Sequence, residues 1–127
     1  MTEHRTPLAR VRGLGSAKTG TAHFWHQRLT AVANVPLTIA FVLIVVALLG
    51  RNHAAAQQIL ATPLVAIVML LFIGSVTYHM RIGMQVIIED YIHDEIAKLA
   101  LIMLNTFFAV AVALASAYAI FKLSFGV

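Results

Sequence analysis

Three long apolar runs constrain this chain more than any other feature. Leu29–Gly50 holds no Asp, Glu, Lys or Arg across 22 residues, and Leu99–Phe121 holds none across 23. Pro63–Ile88 is as long but carries His79 and Arg81 in its later half. A helix rises about 1.5 Å per residue and the hydrocarbon core is roughly 30 Å thick, so about 20 residues suffice to cross. Hydrocarbon offers no water to backbone N–H and C=O groups, so a single apolar run that crosses must be helical. The expected fold is all-α and integral to a membrane, with three transmembrane helices at 29–50, 63–88 and 99–121. Composition agrees. Hydrophobic residues are 61% and charged residues 11% of 127, against about 45–50% and about 25% in soluble domains.

The remaining segments are short. Residues 1–28 are polar, basic and glycine-containing, and are expected as a surface arm with a short interfacial helix around His23–Arg28. They precede a transmembrane domain over 29–127. The arm has no apolar stretch before residue 29, which does not suit a cleavable signal peptide. Pro36 falls early in the first run, where a membrane helix tolerates it as a kink. Residues 51–62 read as a polar break, and Pro63 suits a first helical turn. Residues 89–98, EDYIHDEIAK, form the acidic cluster.

Charge placement sets an expected orientation. The arm carries Arg5, Arg10, Arg12, Lys18 and Arg28, and the second loop adds Lys98. The opposite side carries Arg51 and Lys122. Positive charge favours the cytoplasmic side, so the N-terminus is expected there and the C-terminus on the periplasmic side. A positive tail beside a membrane span needs no nucleic acid to explain it, and no nucleic-acid partner is expected.

His79 is the sharpest residue. An ionisable side chain at membrane depth is costly and marks function by default. An imidazole there suits metal ligation, above all to haem iron. A proton relay is a second reading, and a hydrogen bond to a neighbouring helix a third. At about 100° per residue, Gly83 falls about 40° and Asp90 about 20° from His79, a stripe along one face. Gly83 would let a flat macrocycle approach the backbone, or would let two helices pack closely. Arg81 lies about 200° round from His79. It is expected to snorkel to the headgroups, the other reading being that it neutralises an anion on another helix.

Tyr91 lies roughly 18 Å along the axis from His79, at the expected interface. A tyrosine there is an interface anchor. Backed by Asp90, its phenol is also a donor fit for a quinone carbonyl. Arg28 and His23 sit where the first span enters from the same side. They suit first an ordinary positive-inside anchor, and second a haem propionate or a quinone oxygen.

The remaining histidines (His4, His23, His26, His53, His93) lie in loops or at helix ends, so a second axial ligand would have to come from another chain. Three helices enclose a site poorly, which also calls for partner helices. With no cysteine, the chain has no disulfide, no cysteine-ligated iron–sulfur cluster and no thiolate zinc site. It has no glycine-rich nucleotide fingerprint and no hydrolytic triad, so substrate chemistry would sit on partner subunits and this chain would be non-catalytic by itself.

The run from His79 through Gly83 to Asp90-Tyr91 resembles the H-x3-G-x6-D-Y signature of the hydrophobic membrane anchor subunit of succinate dehydrogenase. Trp25-His26-Gln27-Arg28-Leu29-Thr30-Ala31 resembles that family's Arg-x-Thr-Ala entry to its first helix, and the arm from Arg10 to Gly20 is similar to that of alphaproteobacterial members. The resemblance implies a second membrane anchor as partner, the three-helix cytochrome b556 subunit, sharing a haem b with this chain. It also implies a flavoprotein and an iron–sulfur subunit on the cytoplasmic face, in a bacterial inner membrane. It maps the haem iron ligand onto His79, the haem-propionate arginine onto Arg28, and the quinone-binding pair onto Tyr91 and Asp90. The function implied is electron transfer from succinate to ubiquinone, in the respiratory chain and the tricarboxylic acid cycle. Two alternatives stay open: a cytochrome b anchor of a fumarate reductase, and a haem-free small transporter or assembly protein.

Overall fold

A computed structural model describes residues 6–13 and 20–126, all in helices and short connections. Helix α1 covers Pro7–Val11, α2 Gly20–Leu48, α3 His53–Leu60, α4 Pro63–Tyr91 and α5 Glu95–Phe125. The stretch 14–19 of the arm, Lys18 included, and the charged residues Glu3 and Arg5 lie outside the described residues.

Each boundary has a local cause. Gly50 takes a left-handed conformation (φ 70°) that ends the first long helix, a conformation glycine adopts without strain. Asn52 caps α3 by accepting from the Ala55 amide at 2.9 Å. Thr62 is extended and Pro63 opens α4, where its missing N–H costs little. Ile92, Asp94 and the residue between them turn the chain, and the Asp94 carboxylate accepts from the Ala97 amide at 2.7 Å to start α5. Gly126, again left-handed, closes α5.

Three helices, α2, α4 and α5, are long and apolar enough to cross a membrane. At 29, 29 and 31 residues, each is about 44–46 Å long. That exceeds the roughly 30 Å hydrocarbon core, so their ends reach the headgroups. The all-α membrane fold is therefore the observed one. Two local expectations are corrected. Residues 23–28 are no separate interfacial helix but the opening turns of α2, which starts at Gly20 and runs unbroken through Pro36. The polar break at 51–62 contains a helix, α3.

The long helices form a row. Helix α4 packs on α2 with one face and on α5 with another, while α2 and α5 scarcely meet. Phe41 of α2 stacks on Phe72 of α4, ring centroids 4.4 Å apart. The buried residues cluster on α4 and α5: Ile82 (2% exposed), Ala109 and Ile120. Val32, Val35, Leu43, Leu104, Phe107 and Leu114 point outward. In a bilayer that surface is covered by lipid or partner helices rather than by the chain's own core.

Candidate functional site: a cleft between α2 and α4

The row architecture leaves an open cleft of about 570 Å³ where the N-terminal turns of α2 face the later half of α4. His79, Ile82, Gly83 and Val86 line it from α4; His23, Phe24, Gln27, Arg28 and Ala31 line it from α2. The four α4 positions fall at spacings of three, four and seven, one face of a helix.

His79 is half-buried and held by two α2 side chains. Its Nδ1 lies 2.9 Å from Thr30 Oγ1, and its Nε2 lies 3.4 Å from the Gln27 amide nitrogen. The second contact is long for a hydrogen bond. Thr30 Oγ1 also reaches the carbonyl oxygens of its own helix, His26 O at 2.7 Å and Gln27 O at 3.2 Å. The Gln27 Oε1 atom is buried without a partner.

Gly83 faces the same space. A methyl group built there would meet only the Gln27 amide nitrogen, at 3.6 Å, an ordinary contact. Packing between α2 and α4 therefore does not demand a glycine, and the close-packing explanation loses its support within this chain. Among the lining residues the Arg28 guanidinium stacks over the Phe24 ring at 5.1 Å, a geometry that holds the cation in place.

Of the six residues singled out from sequence, His79, Gly83, Arg28 and His23 converge on this cleft. Asp90 and Tyr91 do not line it. They end α4, both exposed, Tyr91 at 75%. Arg81 has partners on α5 that the helix wheel alone did not name. Its Nε donates to Thr106 Oγ1 of α5 at 3.2 Å, and its carbonyl oxygen accepts from Asn105 Nδ2 at 2.9 Å. The wheel position opposite His79 faces α5, so the side chain has a protein partner at hand and its Nε links the two helices.

Sequence reasoning missed Gln27 and Thr30 as the partners of His79. It also missed the contact between Tyr78 OH and His26 Nδ1, 2.8 Å, which ties the two helices beside the cleft. Thr30 sits inside the Arg-x-Thr-Ala stretch, which was the available signal.

Residues 2–113 match the family model described as succinate dehydrogenase/fumarate reductase transmembrane subunit. The chain belongs to that family. Among relatives of this transmembrane-subunit family, the succinate dehydrogenase hydrophobic membrane anchor subunit of Paracoccus denitrificans is 31% identical over 121 residues, covering 95% of this chain and 93% of that protein. The corresponding subunit of Rickettsia bellii (strain RML369-C) is 29% identical, covering 94% and 95%. The succinate dehydrogenase membrane anchor subunit of Reclinomonas americana is 31% identical, covering 75% and 82%. No solved structure matches the chain. The family match spans the whole cleft and both flanking helices, so the cleft belongs to the part of the chain that makes it a family member.

Proposed function

We propose that this protein is the membrane anchor subunit of a succinate:quinone oxidoreductase, and that the α2/α4 cleft is its half of a haem b site. The observation that carries the reading is His79. It lines a cleft whose walls are mostly apolar and whose lining includes the basic side chains Arg28 and His23. The residues present fit the group. An imidazole is among the protein ligands that hold haem iron, and His79 brings one to the cleft from α4. Among the described residues no three His, Cys, Asp or Glu side chains converge on a metal site.

A bound haem would supply a one-electron redox centre. The chain's own residues supply the rest. His79 presents Nε2 to the cleft, Phe24, Ala31, Ile82 and Val86 keep water from it, and Gly83 leaves backbone open to a flat ring. Arg28 and His23 place donors where carboxylates would lie. Any further protein ligand would have to come from a partner helix, in the family's arrangement one of the cytochrome b556 subunit, and the row of α2, α4 and α5 leaves apolar faces open to such a helix. Tyr91, about 18 Å further along α4, donates its exposed phenol to a ubiquinone carbonyl, with Asp90 beside it as the local base. The flavoprotein and iron–sulfur subunits would dock on that same side, and the six-to-two distribution of Lys and Arg supports reading it as the cytoplasmic face of an inner membrane.

The test is a reduced-minus-oxidised absorption spectrum of the complex purified from its native membrane, with identification of the co-purifying soluble subunits and quinone. A b-type haem band with flavoprotein, iron–sulfur protein and ubiquinone is expected. Menaquinone and a fumarate-reducing activity would select the fumarate reductase reading, which the family description also covers. A complex with neither haem nor flavoprotein would overturn the proposal in favour of a transporter or assembly role.

A further inference from the structure

The hydrogen count at Thr30 decides how the His79 ring is presented. A threonine hydroxyl has one hydrogen and two lone pairs. Within a helix it commonly gives that hydrogen to the carbonyl four residues back, and Thr30 Oγ1 lies 2.7 Å from His26 O, the distance of a well-formed O–H···O bond. A carbonyl has no hydrogen to return, so the proton in that bond is Thr30's own. Only lone pairs then remain for His79 Nδ1 at 2.9 Å, and Nδ1 must carry the ring hydrogen. In the neutral ring that leaves the lone pair on Nε2, the nitrogen on the side of Gln27, which lines the cleft as Thr30 does not.

The opposite arrangement fails on the same distances. Turning the Gln27 amide over would bring its Oε1 against His79 Nε2 and would suit a hydrogen there. Thr30 would then have to give its hydrogen to Nδ1, leaving Thr30 Oγ1 and His26 O 2.7 Å apart with no proton between them. Two facing lone pairs at that distance repel.

We propose that Thr30 is a positioning residue for the cleft: its hydroxyl, anchored to the α2 backbone, holds His79 Nδ1–H and thereby fixes both the tautomer and the rotation of the ring that offers Nε2 to iron. This rests on the reading of His79 as a haem ligand. Imidazoles that bind metals are generally held this way through their other nitrogen, and loss of such a partner costs about 10–100-fold in metal affinity or activity. The device couples α2 to the haem, so the first helix contributes to the ligand geometry without supplying a ligand.

The experiment compares four residues at position 30 in the intact purified complex: native Thr30, Thr30→Ser, Thr30→Val and Thr30→Ala. Haem content, the low-spin ferric electron paramagnetic resonance g-values and the haem midpoint potential are read for each, with His79→Ala as reference. The proposal expects the set to sort by hydroxyl. Ser should keep the native g-values and potential. Val and Ala should share a displaced signal and lose haem about tenfold or more readily. Sorting by size, with Val like Thr and Ser like Ala, would overturn it, as would four identical spectra or a serine complex without haem. If His79→Ala itself keeps the native spectrum, the haem-ligand reading fails instead, and the two failures are told apart.

Discussion

The two faces of α4 handle polar groups in opposite ways. Toward α5, Arg81 bonds to Thr106, Asn105 bonds back to the Arg81 carbonyl, and Thr106 also donates to Ile102 O at 2.9 Å. Ala109 beside them is 4% exposed. Toward α2, Gln27 Oε1, Asn34 Oδ1 and Ser75 Oγ are buried without partners, His79 Nε2 has only a long contact, and a cleft stands open. Gln27 and Asn34 are seven residues apart and share a face of α2. An unpaired polar atom costs about 1–3 kcal/mol when buried. On the α5 side these polar groups find partners within this chain, although an apolar groove of about 380 Å³ opens there too; on the α2 side three buried polar atoms do not. His79 and Arg81, two residues apart, fall on different sides of that division.

The comparison can be broken most severely at Gly83. Within this chain a side chain there meets little, so Gly83→Leu should leave α2 and α4 paired and yet lower haem content by about tenfold or more, a loss typical of disturbed metal sites. Normal haem content in the assembled Gly83→Leu complex would show that nothing approaches the cleft over that glycine. A smaller effect is expected at the end of α4. Tyr91→Phe removes a hydrogen bond worth about 1.5 kcal/mol when the acceptor becomes charged, so quinone reduction should fall about tenfold while succinate oxidation by an artificial acceptor persists. Equal loss of both would assign Tyr91 to assembly.

The mildest predictions test the seams by sign. Asn105→Ala should destabilise the complex by about 0.6–1.7 kcal/mol, the usual range for a hydrogen bond between membrane helices, with the haem spectrum unmoved. Ser75→Ala should be neutral or stabilising by up to about 1 kcal/mol, because it removes an unsatisfied hydroxyl. Thermal unfolding of the two variants side by side checks the contrast. A Ser75→Ala loss matching that of Asn105→Ala would show that the α2 seam is satisfied too.

The membrane spans were legible in sequence because hydropathy reports directly on solvent. It does not report where a helix begins. The polar turns His23–Arg28 continue α2 because nothing after Gly20 breaks it, although the uncharged run begins only at Leu29. Helix α3 was announced by Asn52 ahead of three alanines, a cap signal that the polarity of Gln57 and Gln58 obscured. The wheel separated His79 from Arg81 correctly. It could not say that Thr106 waited on the Arg81 side, because a wheel contains no neighbours. For the same reason Thr30 and Gln27 went unseen: they lie about 50 residues from His79 in sequence and reach it only through the pairing of α2 with α4. Asp90 shares the His79 wheel angle but lies about 16 Å further along the axis, outside the cleft.

The central claim is that His79 Nε2 is an iron ligand. The direct measurement is the reduced-minus-oxidised spectrum and haem content of the complex carrying His79→Ala, prepared with assembly verified by the presence of its soluble subunits. The account predicts loss of the haem, or a low-spin band replaced by that of a haem lacking one imidazole. A band of native position and amplitude, at native haem stoichiometry, would contradict it.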